Sequence, residues 1–90
     1  MFCQFGLVKH RKNPAFSKAF GNQVKKLRLE KSIGKREFAI LADIEYSMLQ
    51  NIEAGTSNPT LATVMLLAEG LKISHQELFD FKFPAKKIEK

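Results

Sequence analysis

Ninety residues, 44% of them hydrophobic, suffice for one small domain with a single core. The lone cysteine, Cys3, excludes a disulfide framework and a cysteine-based zinc site, and no apolar run approaches the roughly 18 residues of a membrane span. The net charge of +6, from 15 basic and 9 acidic residues, favours an anionic partner. Residues 1–13 read as an N-terminal arm, apolar from Met1 to Val8 and then basic at Lys9, Arg11 and Lys12. A secretory signal has the opposite order, so the expected compartment is the cytoplasm. Asn13-Pro14 is a helix-start signal, with Asn as N-cap and Pro in the first helical position. Phe16, Phe20, Val24 and Leu27 then recur at helical spacing, which predicts a helix from about Pro14 to Lys31 despite Gly21.

The stretch from Gly34 to Gly55 predicts two short helices hinged at Asp43-Ile44. The first runs from Lys35 to Ala42, with Gly34 as N-cap and Phe38, Ala39 and Ala42 on its inner face. The second runs from about Glu45 to Ala54, is stopped by Gly55, and turns Leu49 and Ile52 inward. Two helices crossing through so short a turn form a helix-turn-helix, whose second helix can enter a DNA major groove. A polar loop follows, and Thr60 caps a fourth helix with Leu61, Val64, Leu67, Ala68 and Leu71 inward. Ser74-His75-Gln76-Glu77 is a capping box for a short fifth helix ending near Phe79. Phe79, Phe81 and Phe83 then alternate with Asp80 and Lys82, the pattern of an extended tail. Met1, Cys3, Phe5 and Leu7 alternate in the arm as well, so arm and tail are expected to pair as strands or to pack across a two-fold axis.

The segment from about Phe20 to Phe79 resembles the Cro/phage-repressor type of helix-turn-helix, the XRE family. Leu27-Arg28 stands where that family has a hydrophobic-Arg pair, and Ile52-Glu53-Ala54-Gly55 where it has I-E-x-G. Asn58-Pro59-Thr60-Leu61 corresponds to its N-P-S/T-L, and Leu67-Ala68 through Leu78-Phe79 to its last two helices. The resemblance implies an all-α, five-helix, lambda-repressor-like domain over residues 14–80, with a C-terminal tail at 81–90. It implies sequence-specific binding to double-stranded DNA by a transcriptional regulator, in the family usually a repressor. It also implies a partly buried ion pair between Arg28 and Glu53, and base contacts from Tyr46, Ser47 and Asn51.

The residue chemistry agrees in part. Tyr46, Ser47, Gln50 and Asn51 lie opposite Leu49 and Ile52, and an Asn amide can pair with adenine while a Tyr ring can pack on a thymine methyl. Glu45, at the start of the recognition helix, would read a cytosine amino group or exclude some sequences. Lys35 opens a helix, where backbone N–H groups and charge favour phosphate, and Arg36, Thr56, Ser57 and Asn58 are candidate phosphate contacts beside it. The positive charge is concentrated upstream: residues 1–31 carry Lys9, Arg11, Lys12, Lys18, Lys25, Lys26, Arg28 and Lys31 against Glu30 alone. No Lys or Arg lies between Glu37 and Glu69, so useful affinity calls for a homodimer on a two-fold site. Ile40, Leu41 and Leu66 are apolar where the family has charge, and either are scattered surface or form a contact patch for a partner chain. The alternative function is therefore a protein-interaction module, such as the antitoxin of a toxin–antitoxin pair. His10 and His75 are isolated, and no nucleophile elbow, Cys/His pair or phosphate-binding glycine loop is present, so neither an enzyme, a metal nor a cofactor is expected.

Overall fold

The apolar stripe Phe20, Val24 and Leu27 is buried along α1 (Pro14–Glu30) and sets the floor of the core. The structure, a computed structural model, describes residues 14–82. Four further helices follow among these residues, α2 (Lys35–Ala42), α3 (Tyr46–Ala54), α4 (Leu61–Leu71) and α5 (His75–Leu78), with no strand. The all-α, five-helix expectation holds, with small shifts at the ends. α1 stops at Glu30, Glu45 is the N-cap of α3, and α5 closes at Leu78. Residues 1–13, the Asn13 cap, Phe83 and the rest of the expected tail lie outside the described residues. Thr60 and Ser74 cap as expected, their hydroxyls accepting from the backbone N–H of Thr63 and Glu77.

The reversals between helices share one device. Ser32, Asp43, Gly55 and Lys72 all adopt left-handed backbone, with φ between 57 and 80°. At the first, second and fourth of these an isoleucine follows: Ile33, Ile44 and Ile73. Their N–H groups close back on Arg28, Ala39 and Ala68 carbonyls, and their side chains pack against the core. This is Schellman-type closure, in which an apolar residue after the left-handed one seals the helix end. Asp43 sits in the hinge of the helix-turn-helix, where Asp tolerates the left-handed backbone better than most residues.

α1 packs against α3, and α2 against α4. Both crossings rely on missing side chains. A Cβ at Gly21 would collide with the backbone carbonyl of Ile52, and one at Gly70 would come within 3.0 Å of Ala42 Cβ and Phe38 Cε1. Gly21, an irregularity to the sequence reading, is thus where α1 and α3 touch. Phe38, Leu49, Ile52, Leu67, Leu71 and Leu78 fill the space between.

The start of the tail departs from expectation. Phe79 and Phe81 do not extend; they fold back on α1, with ring centroids 5.4 Å from Phe20 and 6.0 Å from Phe16. Burying aromatic faces against each other removes apolar area from water and outweighs an exposed strand with no neighbour. Among the described residues, no helix is long and apolar enough to cross a membrane. Gly21→Ala separates the two roles of that glycine. Alanine is the better helix former by about 1 kcal/mol, but the clash is with backbone and cannot relax cheaply. The variant is expected to lose about 1–3 kcal/mol in a urea titration, and a stabilised variant would show that the α1–α3 crossing has room.

Candidate nucleic-acid interface

α3 presents two chemically distinct faces. Leu49 and Ile52 are 0% and 1% exposed, so the helix is anchored along that edge. Ser47, Gln50 and Asn51 are exposed on the outer side, and Tyr46 is half-buried at the helix start. Glu45 is extended, caps nothing with its side chain and stands exposed beside Tyr46. The structure therefore brings the five sequence-predicted base-reading residues to one end and one side of α3.

The start of α2 lies close by. Gly34 offers no side chain as cap, and Lys35 is half-buried at the first helical position. Arg36 reaches over to α3, its guanidinium carbon 4.5 Å from the centre of the Tyr46 ring. That contact was not legible in the sequence, since ten residues and a left-handed hinge separate the two.

The loop after α3 has structural tasks. The Thr56 hydroxyl donates to the Asn51 carbonyl at 3.3 Å, and the Thr56 N–H donates to the same oxygen at 3.0 Å. The Ser17 hydroxyl donates to Asn58 Oδ1 at 3.0 Å, tying the loop to α1. Ser57 is half-buried between them. Of the three, Thr56 spends its hydroxyl on Asn51, whereas the Ser57 hydroxyl and the Asn58 amide N–H groups have no partner among the described residues.

Arg28 and Glu53 meet as the resemblance implied. Arg28 Nε donates to Glu53 Oε2 at 2.7 Å and its Nη2 to Oε1 at 3.0 Å, a two-pronged grip with both side chains almost fully buried. The remaining prong, Nη1, donates to the Ile33 carbonyl at 2.8 Å. One guanidinium thus joins α1, the α1–α2 turn and the last turn of α3. A second buried polar group was missed: Gln23 Nε2 donates to the carbonyls of Glu77 and Asp80 at 3.3 and 3.2 Å, which pins the end of α5 to α1. A Gln among apolar positions of an amphipathic helix was the available signal. No buried side-chain nitrogen or oxygen among the described residues lacks a partner.

The apolar surface is arranged differently from the expected patch. Ile40 and Leu41 are exposed on α2, while half-buried Leu66 lines a shallow recess with Ile44, Met48 and Thr63. Leu61 and Met65 are exposed on α4 as well, and Leu61, 82% exposed, stands beside a groove formed by Phe16, Phe20, Pro59, Val64 and Phe79. Leu61 was assigned to the inner face by periodicity, but it is the first helical residue, where the core has not yet closed over the helix. Among the described residues no group of His, Cys, Asp and Glu could hold a metal ion.

The chain is similar to known proteins over this same region. A family model, helix-turn-helix (HTH_3), matches residues 24–78. The control protein C.MunI of Mycoplasma sp. is 38% identical over 61 residues, 67% of this chain and 82% of that protein. The structure of the restriction-modification controller protein C.AhdI from Aeromonas hydrophila superposes with a TM-score of 0.70 at 31% identity, over 72% of this chain and 98% of that one. An HTH_3 family transcriptional regulator from Vibrio cholerae superposes with a TM-score of 0.72 at 34% identity, over 76% of this chain and 38% of that one.

The ion pair makes a quantitative expectation. Glu53→Ala leaves the Arg28 charge buried and unpaired, which should destabilise the domain by about 3–5 kcal/mol in a denaturant melt. Replacing both partners by apolar residues, Arg28→Met with Glu53→Leu, should recover most of that loss, because no charge is then stranded. A Glu53→Ala protein as stable as wild type would remove the pair from the account of α3.

Proposed function

The chain belongs to the XRE-type helix-turn-helix family (HTH_3) of DNA-binding transcriptional regulators, and on that premise we propose that it binds duplex DNA sequence-specifically with α3 in the major groove and acts as a repressor. The observation that carries this reading is the outer face of α3. Ser47, Gln50 and Asn51 are exposed there, and no side-chain hydrogen bond occupies them within the fold. On this reading Asn51 pairs with adenine, Tyr46 packs on a thymine methyl, and Ser47 and Gln50 meet neighbouring base edges. Glu45 accepts from a cytosine amino group or excludes sequences that lack one. Lys35 meets phosphate at the start of α2, and Ser57 and the Asn58 amide add backbone contacts. Such a protein regulates rather than catalyses and works in the cytoplasm, where the DNA is. The likeness to a restriction-modification controller makes the promoters of restriction-modification genes the first DNA to test.

Binding as a homodimer belongs to the same proposal. Lys35 and Arg36 are the only Lys or Arg residues from α2 through α4, so one domain neutralises few phosphates and a second copy supplies the rest. The face that fits a second copy is exposed Leu61 and Phe79 at the aromatic groove, with exposed Met65 one turn after Leu61 on α4, since apolar side chains grouped in this way lose water on self-association. Exposed Ile40 and Leu41 favour, more weakly, an additional protein partner such as a toxin, which would co-purify with the chain.

Two measurements check these assignments. On a selected site, Asn51→Ala should lose about 1–3 kcal/mol of binding while binding to random duplex barely changes. Lys35→Ala should weaken both and lower the salt slope by about one unit. An equal loss on both DNAs for Asn51→Ala would take that residue off the list of readers. In sedimentation, the full chain should be dimeric at micromolar concentration and the double variant Leu61→Glu, Met65→Glu monomeric but folded. A wild-type chain that stays monomeric at high micromolar concentration would end the dimer argument.

A further inference from the structure

Arg36 is the described cation that lies over an aromatic ring. It is exposed on α2, forms no ion pair among the described residues, and lies over the face of Tyr46, with the guanidinium carbon 4.5 Å from the ring centre. Glu45, adjacent to Tyr46 in the chain, does not pair with it. We propose that Arg36 and Tyr46 form one reading unit in which Arg36 recognises a guanine through its O6 and N7, one base step from the thymine that Tyr46 contacts. The inference rests on the sequence-specific DNA-binding reading above.

Four physical points carry it. Stacking uses the face of a guanidinium and leaves its N–H donors free in the plane, where they match the two acceptors on the major-groove edge of guanine. A phosphate contact needs only charge, which Lys35 supplies one residue earlier; a flat fork held against an aromatic is specialised beyond that need. Holding Arg36 on the ring also removes rotamer freedom before DNA arrives, so less is lost on binding. Finally, the spacing suits consecutive base pairs. The guanidinium carbon and the ring centre, 4.5 Å apart, are close enough to address neighbouring steps whose rise is about 3.4 Å, with Tyr46 on one and Arg36 on the next. The ligand class is therefore a half-site holding adjacent thymine and guanine, at the end of the site nearest the start of α3. Arg36 is thereby a specificity determinant and not one of the phosphate contacts.

Selection from a randomised duplex pool with the full chain tests this. The wild type should enrich a motif with a guanine beside a thymine in each half-site. Arg36→Ala should lose the preference for that guanine by roughly 10- to 100-fold while the remaining positions persist. Tyr46→Leu should weaken the preference at the same guanine by about 2- to 5-fold, the worth of an exposed cation–π contact, and Tyr46→Phe, which keeps the ring, should restore it. An Arg36→Ala motif unchanged at every position, with specific and random affinity falling together and the salt slope reduced by about one unit, would make Arg36 a phosphate clamp and overturn the inference alone. A wild-type pool that enriches no sequence would overturn the sequence-specific reading and this inference with it.

Discussion

The three-way grip of Arg28 is the constraint on which the geometry of the helix-turn-helix depends. Its guanidinium holds the Glu53 carboxylate at 2.7 and 3.0 Å and the Ile33 carbonyl at 2.8 Å. Glu53 sits in the last turn of α3 and Ile33 in the turn before α2, so a single planar group fixes both helices of the motif relative to α1. A planar fork can satisfy those acceptors in only one orientation, which an apolar contact could not specify. Its contribution is chiefly positional, because removing two charges from water offsets much of their attraction.

Around that grip the helices approach closely through absences. Gly21 lets α1 meet the α3 backbone, and Gly70 lets α4 settle on Phe38 and Ala42. The left-handed ends at Ser32, Asp43 and Lys72, each followed by a core-facing isoleucine, set the direction in which the next helix leaves. Three of the four left-handed positions are not glycine, so local backbone preference is overridden there by burial of the isoleucine that follows. Gln23 does for α5 what Arg28 does for α3, joining α1 to the end of the short helix with two hydrogen bonds.

The surface is organised by the same packing. Anchoring Leu49 and Ile52 turns Ser47, Gln50 and Asn51 outward, while the hinge at Asp43 brings Arg36 over Tyr46. Little positive charge is available there, since α3 itself carries no Lys or Arg and the largest group of basic residues in the described chain is on α1, at Lys18, Lys25, Lys26 and Arg28. Of these Arg28 is buried in the ion pair and unavailable to an outside anion. Hydrogen-bonding and stacking groups therefore predominate over charge on the outer face of α3, which suits discrimination between sequences more than indiscriminate attraction to DNA.

Much of this was legible before any coordinates. Hydrophobic periodicity located the first four helices, because burial of one face imposes a repeat that survives in the residue order, and the capping box at Ser74 located the fifth; Thr60 and Ser74 mark helix starts because their hydroxyls satisfy otherwise unpaired N–H groups nearby in the chain. The Arg28–Glu53 pair was readable by resemblance, not from spacing, as 25 residues separate its partners. Contacts between residues distant in sequence were otherwise hidden. The stack of Arg36 on Tyr46, the role of Gly21 and the return of Phe79 and Phe81 to α1 all arise from crossings that a one-dimensional pattern does not encode. Leu61 shows the same limit from the other side: its helical phase was inward, yet it lies exposed because the core does not reach the first turn of α4. Local chemistry and periodicity determined which segments become helices and which face each buries; only tertiary packing decided which side chains from different helices meet, since that depends on the angle and distance at which the helices cross.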